Sequence, residues 1–315
     1  MKEKVRKEYY RRERLVLKTE LNAANRFEAI NTLAVPIVTY SFNVINWKMG
    51  ELKRLDTKAR KVLTIHRMHH PKADVNRLYL PRRIGGRGLS KLETAYKSTT
   101  IGLETYLRNT DDALLQLLLQ HETKKKLYSI QKEAEKFRRE YQEPNLDRAA
   151  NKRVTKFSRR VKQKVRQQAQ DIEMKQWEEK ELHGRYPKRI READVDDYKT
   201  NQWLRSAGLK AETEGLIIAA QDQSFPTKSY FARIVKDGTN PLCRICHKHE
   251  ETVDHIISGC PELAKTDYLE RHNKAATYIH WKACQHHSIE VPERWYEHKP
   301  ETVTENEEVI ILWDM

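Results

Sequence analysis

The residues best placed for chemistry are three cysteines and a histidine in the last third of the sequence. Cys243, Cys246, His255 and Cys260 follow the spacing C-x2-C-x8-H-x4-C. A Cys-x-x-Cys turn presents two thiolates to one ion, and a histidine and a cysteine a few residues apart can complete a tetrahedral zinc shell. Four protein ligands leave no position for a reactive water. The pattern therefore predicts a structural zinc site and not a catalytic one.

Other potential ligands lie near this pattern. His247 and His249 could compete with His255 for the third position, but the first turn would then have to fold back on itself. His280 and Cys284 form a separate H-x3-C pair in a predicted helix. We interpret this pair as packing residues.

The charge of the sequence indicates polyanionic partners. Sixty Lys and Arg against 45 Asp and Glu give a formal net charge of +15, and the segment 124–191 carries +12 of it, with 22 basic and 10 acidic residues. Such an excess attracts nucleic acid, so RNA and DNA are the expected partners, with a merely solvated basic surface as the alternative. The residues predicted to contact phosphate are Arg82, Arg83 and Arg87, beside Gly85, Gly86 and Gly88, and Lys152, Arg153, Arg159 and Arg160.

Helical periodicity dominates the segments that must position these residues. Apolar residues at helical spacing predict helices in 15–46, where Pro36 starts or kinks a helix, in 51–65, and from Lys91 to Leu119. In 124–191 apolar residues are sparse, which favours a long solvated helix or helical pair. Helical spacing returns in 194–223, where Gly208 is a predicted helix stop.

We therefore expect a mainly α fold: a helical bundle, a long basic helical linker and a small zinc-stabilised module. The predicted boundaries are 1–122 for the bundle, 123–192 for the linker, 193–287 for a helical segment with the zinc site, and 288–315 for the start of a further domain. No stretch approaches the ~20 apolar residues of a membrane span. The N-terminal residues lack a signal peptide's apolar run, so we expect an intracellular location, nuclear or cytoplasmic.

The order of motifs resembles the C-terminal part of non-LTR retrotransposon reverse transcriptases. Ala29-Ile30-Asn31-Thr32-Leu33-Ala34-Val35-Pro36 and Leu78-Tyr79-Leu80-Pro81, leading to Gly85-Gly86-Arg87-Gly88-Leu89, are similar to the thumb of that family. The segment 212–223, the cysteine cluster and 268–273 look like the linker and zinc knuckle that follow the thumb, and 311–314 is similar to the opening strand of a restriction-like endonuclease. The resemblance implies binding of RNA and of a DNA target during target-primed reverse transcription.

The sequence lacks the residues that carry out the chemistry of that family. A polymerase centre needs paired aspartates that hold two metals, but Asp111-Asp112 and Asp196-Asp197 are the only Asp-Asp pairs and both lie in polar, helical segments. None of the ten prolines precedes an Asp, as the endonuclease motif requires. We expect a nucleic-acid-binding remnant without enzymatic activity. The alternatives are a domesticated host RNA- or DNA-binding protein and the thumb half of a split polymerase that acts with its missing half.

Overall fold

A computed structural model of the chain describes residues 1–123, 129–141 and 154–313, with the side chains of 122 and 123 left out. The predicted mainly helical fold is confirmed. The chain forms two compact units, an N-terminal unit of residues 1–225 and a C-terminal unit of residues 226–315. The division falls inside the segment 193–287 that the sequence analysis treated as one piece. Among the described residues, no helix combines the length and apolarity that crossing a bilayer requires.

Among its described residues, the N-terminal unit consists of helices joined by turns and loops, without a β-strand. Short π-helical and 3-10 turns, Ile30–Ala34 and Arg82–Ile84, connect some of its helices. The helices are α1 Lys2–Leu17, α2 Ala23–Ala29, α3 Val35–Thr39, α4 Met49–Ile65, α5 Val75–Tyr79, α6 Leu92–Asn109, α7 Ala113–Thr123, α8 Ile130–Glu140, α9 Val154–Glu178, α10 Arg185–Arg189, α11 Asp197–Thr200, α12 Trp203–Ser206 and α13 Ala211–Gln221.

Two predicted breaks between helices are confirmed. Pro36 lies in the first turn of α3, where a backbone N–H has no partner within the helix, so proline costs no hydrogen bond there. Gly208 follows α12 with a φ of +59°, a left-handed backbone that glycine adopts without a steric penalty. Leu78 and Tyr79 end the short helix α5, which Asp74 caps by accepting a hydrogen bond of 3.0 Å from the N–H of Arg77.

The prediction that the basic segment is a solvated linker is wrong for α9. Val161, Val165 and Ala169 repeat every four residues and are buried in the core of the N-terminal unit. They pack against α6, whose Gly102 lets the two backbones approach. A methyl group at this position would collide with the stem of Lys162, and the Gly102 carbonyl accepts a 2.6 Å hydrogen bond from Ser158. Three apolar residues on one face suffice to bury a helix that is basic elsewhere.

The C-terminal unit combines short helical turns with one long helix and a hairpin. Its elements are α14 Lys228–Tyr230, π-helical turns at Phe231–Val235, His255–Gly259 and Ala264–Tyr268, α15 Pro261–Leu263, α16 Leu269–His286, a 3-10 turn at Trp295–Glu297, β1 Val303–Glu305 and β2 Ile310–Leu312. The two strands pair antiparallel, with Thr304 opposite Ile311. The predicted strand at 311–314 is thus the second strand of a hairpin up to Leu312, and Asp314 lies outside the described residues.

Candidate functional site

The first two cysteines lie on a tight turn that follows a short backbone bridge between Leu242 and Glu250. The N–H of Cys243 donates to the carbonyl of His249 at 2.7 Å, and the Cys243 carbonyl accepts from the N–H of His247 at 3.0 Å. The N–H of Ile245 points at the Cys243 sulfur, 3.4 Å away. Local backbone bonds therefore form this turn, which explains why its spacing is recognisable in the sequence.

The third and fourth candidate ligands flank one π-helical turn. His255 begins this turn and Cys260 follows it, immediately before α15. The Tyr268 hydroxyl accepts from the N–H of Cys260 at 3.1 Å and lies 2.8 Å from the carbonyl oxygen of Ile256. Tyr268 thereby fixes the distance between the two ligand-bearing residues.

The four side chains converge at one point. The ligand atoms of Cys243, Cys246, His255 and Cys260 all lie within 4.8 Å of one another, and all four residues are buried. Cys246 Sγ is 3.3 Å from His255 Nε2. Metal–sulfur and metal–nitrogen bonds of ~2.3 and ~2.0 Å in a tetrahedron give a sulfur–nitrogen edge of about 3.5 Å. The cluster therefore has the donors and the spacing to hold one metal ion.

The electrostatics of the two cysteines in the turn differ. Backbone hydrogen bonds, chiefly from Lys248 and then from His249, lower the pKa of the Cys246 thiol to about 6. Burial raises the pKa of the Cys243 thiol above its usual range. A buried thiolate at Cys243 is thus costly unless a cation compensates it, and a metal ion bound at the cluster would supply that charge.

A buried glutamate braces the same turn from outside the cluster. Glu251, 1% exposed, accepts 2.9 Å hydrogen bonds from the backbone N–H and the Nε of Arg244, and a 3.0 Å bond from the N–H of Lys228. Burial alone would raise the pKa of Glu251, but the Arg244 bonds hold it at about 2. Glu251 was not predicted from the sequence, where it is only one acidic residue between two candidate ligands.

The neighbouring histidines fall into two groups. His247 and His249 are exposed and stay outside the four-residue cluster, although the His249 ring lies 5.7 Å from that of His255. His280 and Cys284, interpreted as packing residues, are buried in α16 and form a second cluster with His298. His298 was not predicted from the sequence.

The predicted phosphate contacts at Arg82 and Arg87 need correction. Arg87 is 1% exposed, stacks 4.6 Å from the Phe27 ring, and donates to Glu214 at 2.9 Å. Arg82 pairs with the same carboxylate and donates to the Leu204 carbonyl at 2.6 Å. Both guanidinium groups bind Glu214 of α13 inside the N-terminal unit and are not available to a phosphate. The sequence could not show this because Arg87 and Glu214 are 127 residues apart.

Of the other predicted phosphate contacts, three are exposed and two lie outside the described residues. Arg83, next to the buried pair, is exposed, and so are Arg159 and Arg160 on α9. Within the described ranges, none of these three arginines forms an ion pair. Lys152 and Arg153 lie outside the described residues. Exposed arginines without a counterion remain the candidates for an anionic partner.

A cleft that the sequence analysis did not anticipate lies beside the exposed face of α9. It measures about 750 Å³, and its wall includes Lys162 and Arg166 of α9 and Tyr40 at the end of α3. Tyr40 is 83% exposed. Lys162 and Arg166 are four residues apart on one helix, and this spacing places them on the same face. It could have indicated from the sequence that both residues line one surface.

No protein-family model matches this chain, and no curated protein matches it significantly.

Proposed function

We propose that this chain binds nucleic acid through the exposed face of α9, as the thumb and knuckle region of a non-LTR retrotransposon reverse transcriptase. The observation that carries the proposal is the basic face of α9, defined as Lys156, Arg159, Arg160, Lys164 and Arg166. All five side chains are exposed, and no acidic residue lies between Val154 and Gln170. At 1.5 Å per residue, the face extends over about 15 Å of helix.

The position of α9 in the fold makes this face suitable for a polyanion. The opposite side of the helix is buried against α6, so the cations are held on a rigid support and do not need to be ordered on binding. A solvated linker would lose more conformational entropy when it bound. The corrected packing of α9 therefore favours a binding surface over a spacer.

The charges that act on Lys162, beside this face, are positive. Burial lowers the pKa of the half-buried Lys162, and the positive charges of Arg166 and Arg159 lower it further. A cation whose neighbours are cations gains from a nearby anion, and phosphate groups supply regularly spaced negative charges. The adjacent cleft, with exposed Tyr40 on its wall, offers an aromatic ring on which an unpaired base could stack.

For the C-terminal unit we propose a zinc ion at Cys243, Cys246, His255 and Cys260. Three thiolates and one imidazole are the donors typical of structural zinc. In the proposal the ion fixes the turn and the π-helical turn relative to each other, and every ligand comes from this chain. We assign it no catalytic step, because a closed shell offers no position for a substrate.

We further propose that the chain has no polymerase activity of its own. One aspartate of each Asp-Asp pair caps a helix: Asp112 accepts from the N–H groups of Leu114 and Leu115 at the start of α7, and Asp196 accepts from that of Lys199 at the start of α11. Carboxylates committed to caps are poorly placed to hold the two metals of a polymerase centre. Nucleic-acid binding is therefore the activity to test.

The test is binding of a labelled structured RNA and of a DNA duplex to the full chain across a salt series. The observed affinity should fall steeply with salt. Arg159→Gln/Arg160→Gln should reduce the salt slope by about 0.9 per lost phosphate contact on duplex DNA, or 0.7 on a single strand. The control Lys4→Gln/Lys7→Gln removes two exposed charges from α1. It should reduce the salt slope less than the α9 variant does.

Two outcomes would contradict the proposal. One is the absence of binding even at low salt, which would make the charge a solvated surface. The other is an equal slope for the wild type and the α9 variant, which would place the contacts elsewhere. Circular dichroism of both variants should match the wild type, because all four substituted residues are exposed.

A further inference from the structure

A second cluster of metal-binding side chains lies in the C-terminal unit, apart from the four ligands of the first. His280 and Cys284 are four residues apart on α16 and therefore share one face of the helix. His298 follows the 3-10 turn at Trp295–Glu297. One ligand atom from each of the three residues lies within 4.8 Å of those from the other two.

The geometry of the cluster centres on one ring nitrogen. His280 Nδ1 is 2.8 Å from His298 Nε2 and 3.4 Å from Cys284 Sγ. Two imidazole nitrogens at 2.8 Å would repel if both were bare lone pairs, so a proton lies between them when no metal is bound. Two nitrogen ligands of one tetrahedral zinc ion lie about 3.3 Å apart, so the two rings need to separate only slightly to share a cation. A proton on His298 joins only those two rings. A cation would serve all three donor atoms.

The surroundings of His280 favour a bare Nδ1. The other nitrogen, Nε2, lies 3.4 Å from the hydroxyl oxygen of Thr304 in β1, which can accept its hydrogen. Trp313 packs edge-on against the same ring, with centroids 5.9 Å apart. Metal-binding histidines commonly donate their second N–H in this way, which orients the ring and leaves the first nitrogen free to bind.

The cluster is shielded from water on the helix side. His280 is 4% exposed and Cys284 is fully buried, whereas His298 is half-buried. The following segment is held on α16 by a 2.8 Å hydrogen bond from Trp281 Nε1 to the Pro292 carbonyl and by a 2.9 Å bond from the N–H of Ile289 to the Cys284 carbonyl. The three donors are therefore prepositioned by contacts that need no metal.

We propose that His280, Cys284 and His298 bind a second metal ion, with zinc as the ion that best fits two imidazoles and one thiolate. With three protein ligands, the fourth position is left for water or an external ligand, unlike the closed shell of the first cluster. The ion joins α16 to the segment that leads into the hairpin. This site is independent of the proposed nucleic-acid binding and could exist without it.

The test is metal analysis of the full chain, purified under reducing conditions and loaded with Zn²⁺ alone. The wild type should bind two ions per chain, Cys284→Ser one and Cys246→Ser one. His286→Ala, at an exposed histidine on the same helix, should still bind two. A Cys284→Ser variant with the same zinc content as the wild type would overturn the proposal, and so would a wild type whose only ion is lost in Cys246→Ser.

Unfolding of the Cys284→Ser variant would also remove metal, so a second variant is needed. His298→Ala changes a half-buried residue outside α16 and should preserve the helix, as circular dichroism can verify. Loaded with Co²⁺, His298→Ala should bind one ion per chain fewer than the wild type. Its cobalt spectrum should lack the same absorption bands that the spectrum of Cys284→Ser lacks. A folded His298→Ala chain with the full cobalt content would overturn the ligand assignment.

Discussion

The two units of this protein are stabilised by different kinds of interior. The N-terminal unit has a continuous apolar cluster that extends from Tyr9 in α1 to Ala211 in α13. In the C-terminal unit, the core cluster consists of Cys243, Cys246 and Cys260, with only partly buried apolar residues packed on it. Small domains that cannot bury enough apolar surface commonly depend on metals or disulfides. The comparison suggests that the first unit folds by packing and the second by ligand binding.

Metal removal tests this comparison most directly and should have the largest effect. Apparent zinc affinities in small modules correspond to about 10–16 kcal/mol, more than a small domain's whole stability. Cys246→Ser, or a chelator with a reductant, should therefore abolish amide-exchange protection in 226–268, the part of the C-terminal unit that precedes α16. Protection in the N-terminal unit should stay unchanged. Hydrogen exchange followed by mass spectrometry reports both units in one experiment.

The control for this prediction is His247→Asn. His247 is exposed in the same turn, and asparagine tolerates its left-handed φ of +56°. The variant should retain both the metal and the protection. If the C-terminal unit stayed protected after complete metal removal, the thiols would be simple packing residues and the comparison would fail.

The N-terminal unit should instead be most sensitive to the loss of a buried charge. Glu214 is 2% exposed and accepts hydrogen bonds from both Arg82 and Arg87. Burial already lowers the pKa of Arg87 to about 10. Removing one partner of a buried ion pair costs about 3–5 kcal/mol, because the other charge remains buried without compensation. Glu214→Gln should lower the free energy of unfolding of this unit by about that amount.

Denaturant unfolding with metal analysis measures this second effect. Glu212→Gln is the matched control, because Glu212 lies on α13 but is exposed, and it should change the free energy of unfolding by less than about 0.5 kcal/mol. The zinc content should be unchanged in both variants. A small effect of Glu214→Gln would mean that the surrounding helices relax and solvate the two arginines.

The contrast between the units also explains which features were predictable from the sequence. The cysteine turn is local: backbone bonds between Cys243 and His249 create it, so its spacing identified it. The Arg87–Glu214 pair joins residues 127 positions apart, and nothing near Arg87 distinguishes it from an arginine that binds phosphate. Interactions between distant segments therefore account for the errors in the N-terminal unit.

Neither the burial of α9 nor the proximity of His298 to α16 was predicted from the sequence, and the reasons are related. The stripe of Val161, Val165 and Ala169 was visible, but whether it is buried depends on its partner α6 and on the close approach at Gly102. His298 lies 14 residues after Cys284 in a segment without a repeating pattern, so only the fold brings it to the helix. Periodicity predicted the helices correctly but not which face meets which neighbour.

The last predicted effect is a pH dependence that arises from a carboxyl group buried in the N-terminal unit. Glu13 is 1% exposed, and burial raises its pKa to about 8, while the charge of Arg14 opposes this shift and that of Asp56 adds to it. The folded state therefore holds a proton that the unfolded state, with a pKa near 4.5, releases. Stability should be greatest below about pH 4.5 for this group and should fall as the pH rises to 8.

Glu13→Gln mimics the protonated carboxyl and removes this loss. At pH 8 it should raise the free energy of unfolding and the Tm of the N-terminal unit, and this gain should vanish as the pH falls towards 4.5. The stability curve between pH 5 and 8 should become flatter. Glu8→Gln on the same helix is the control: hydrogen bonds from Arg11 and Arg12 lower the pKa of Glu8 to about 2, so its titration lies below this window. An unchanged slope in Glu13→Gln would mean that water or a neighbouring cation already solvates the buried carboxylate, and that the interior of the N-terminal unit is less apolar than its packing indicates.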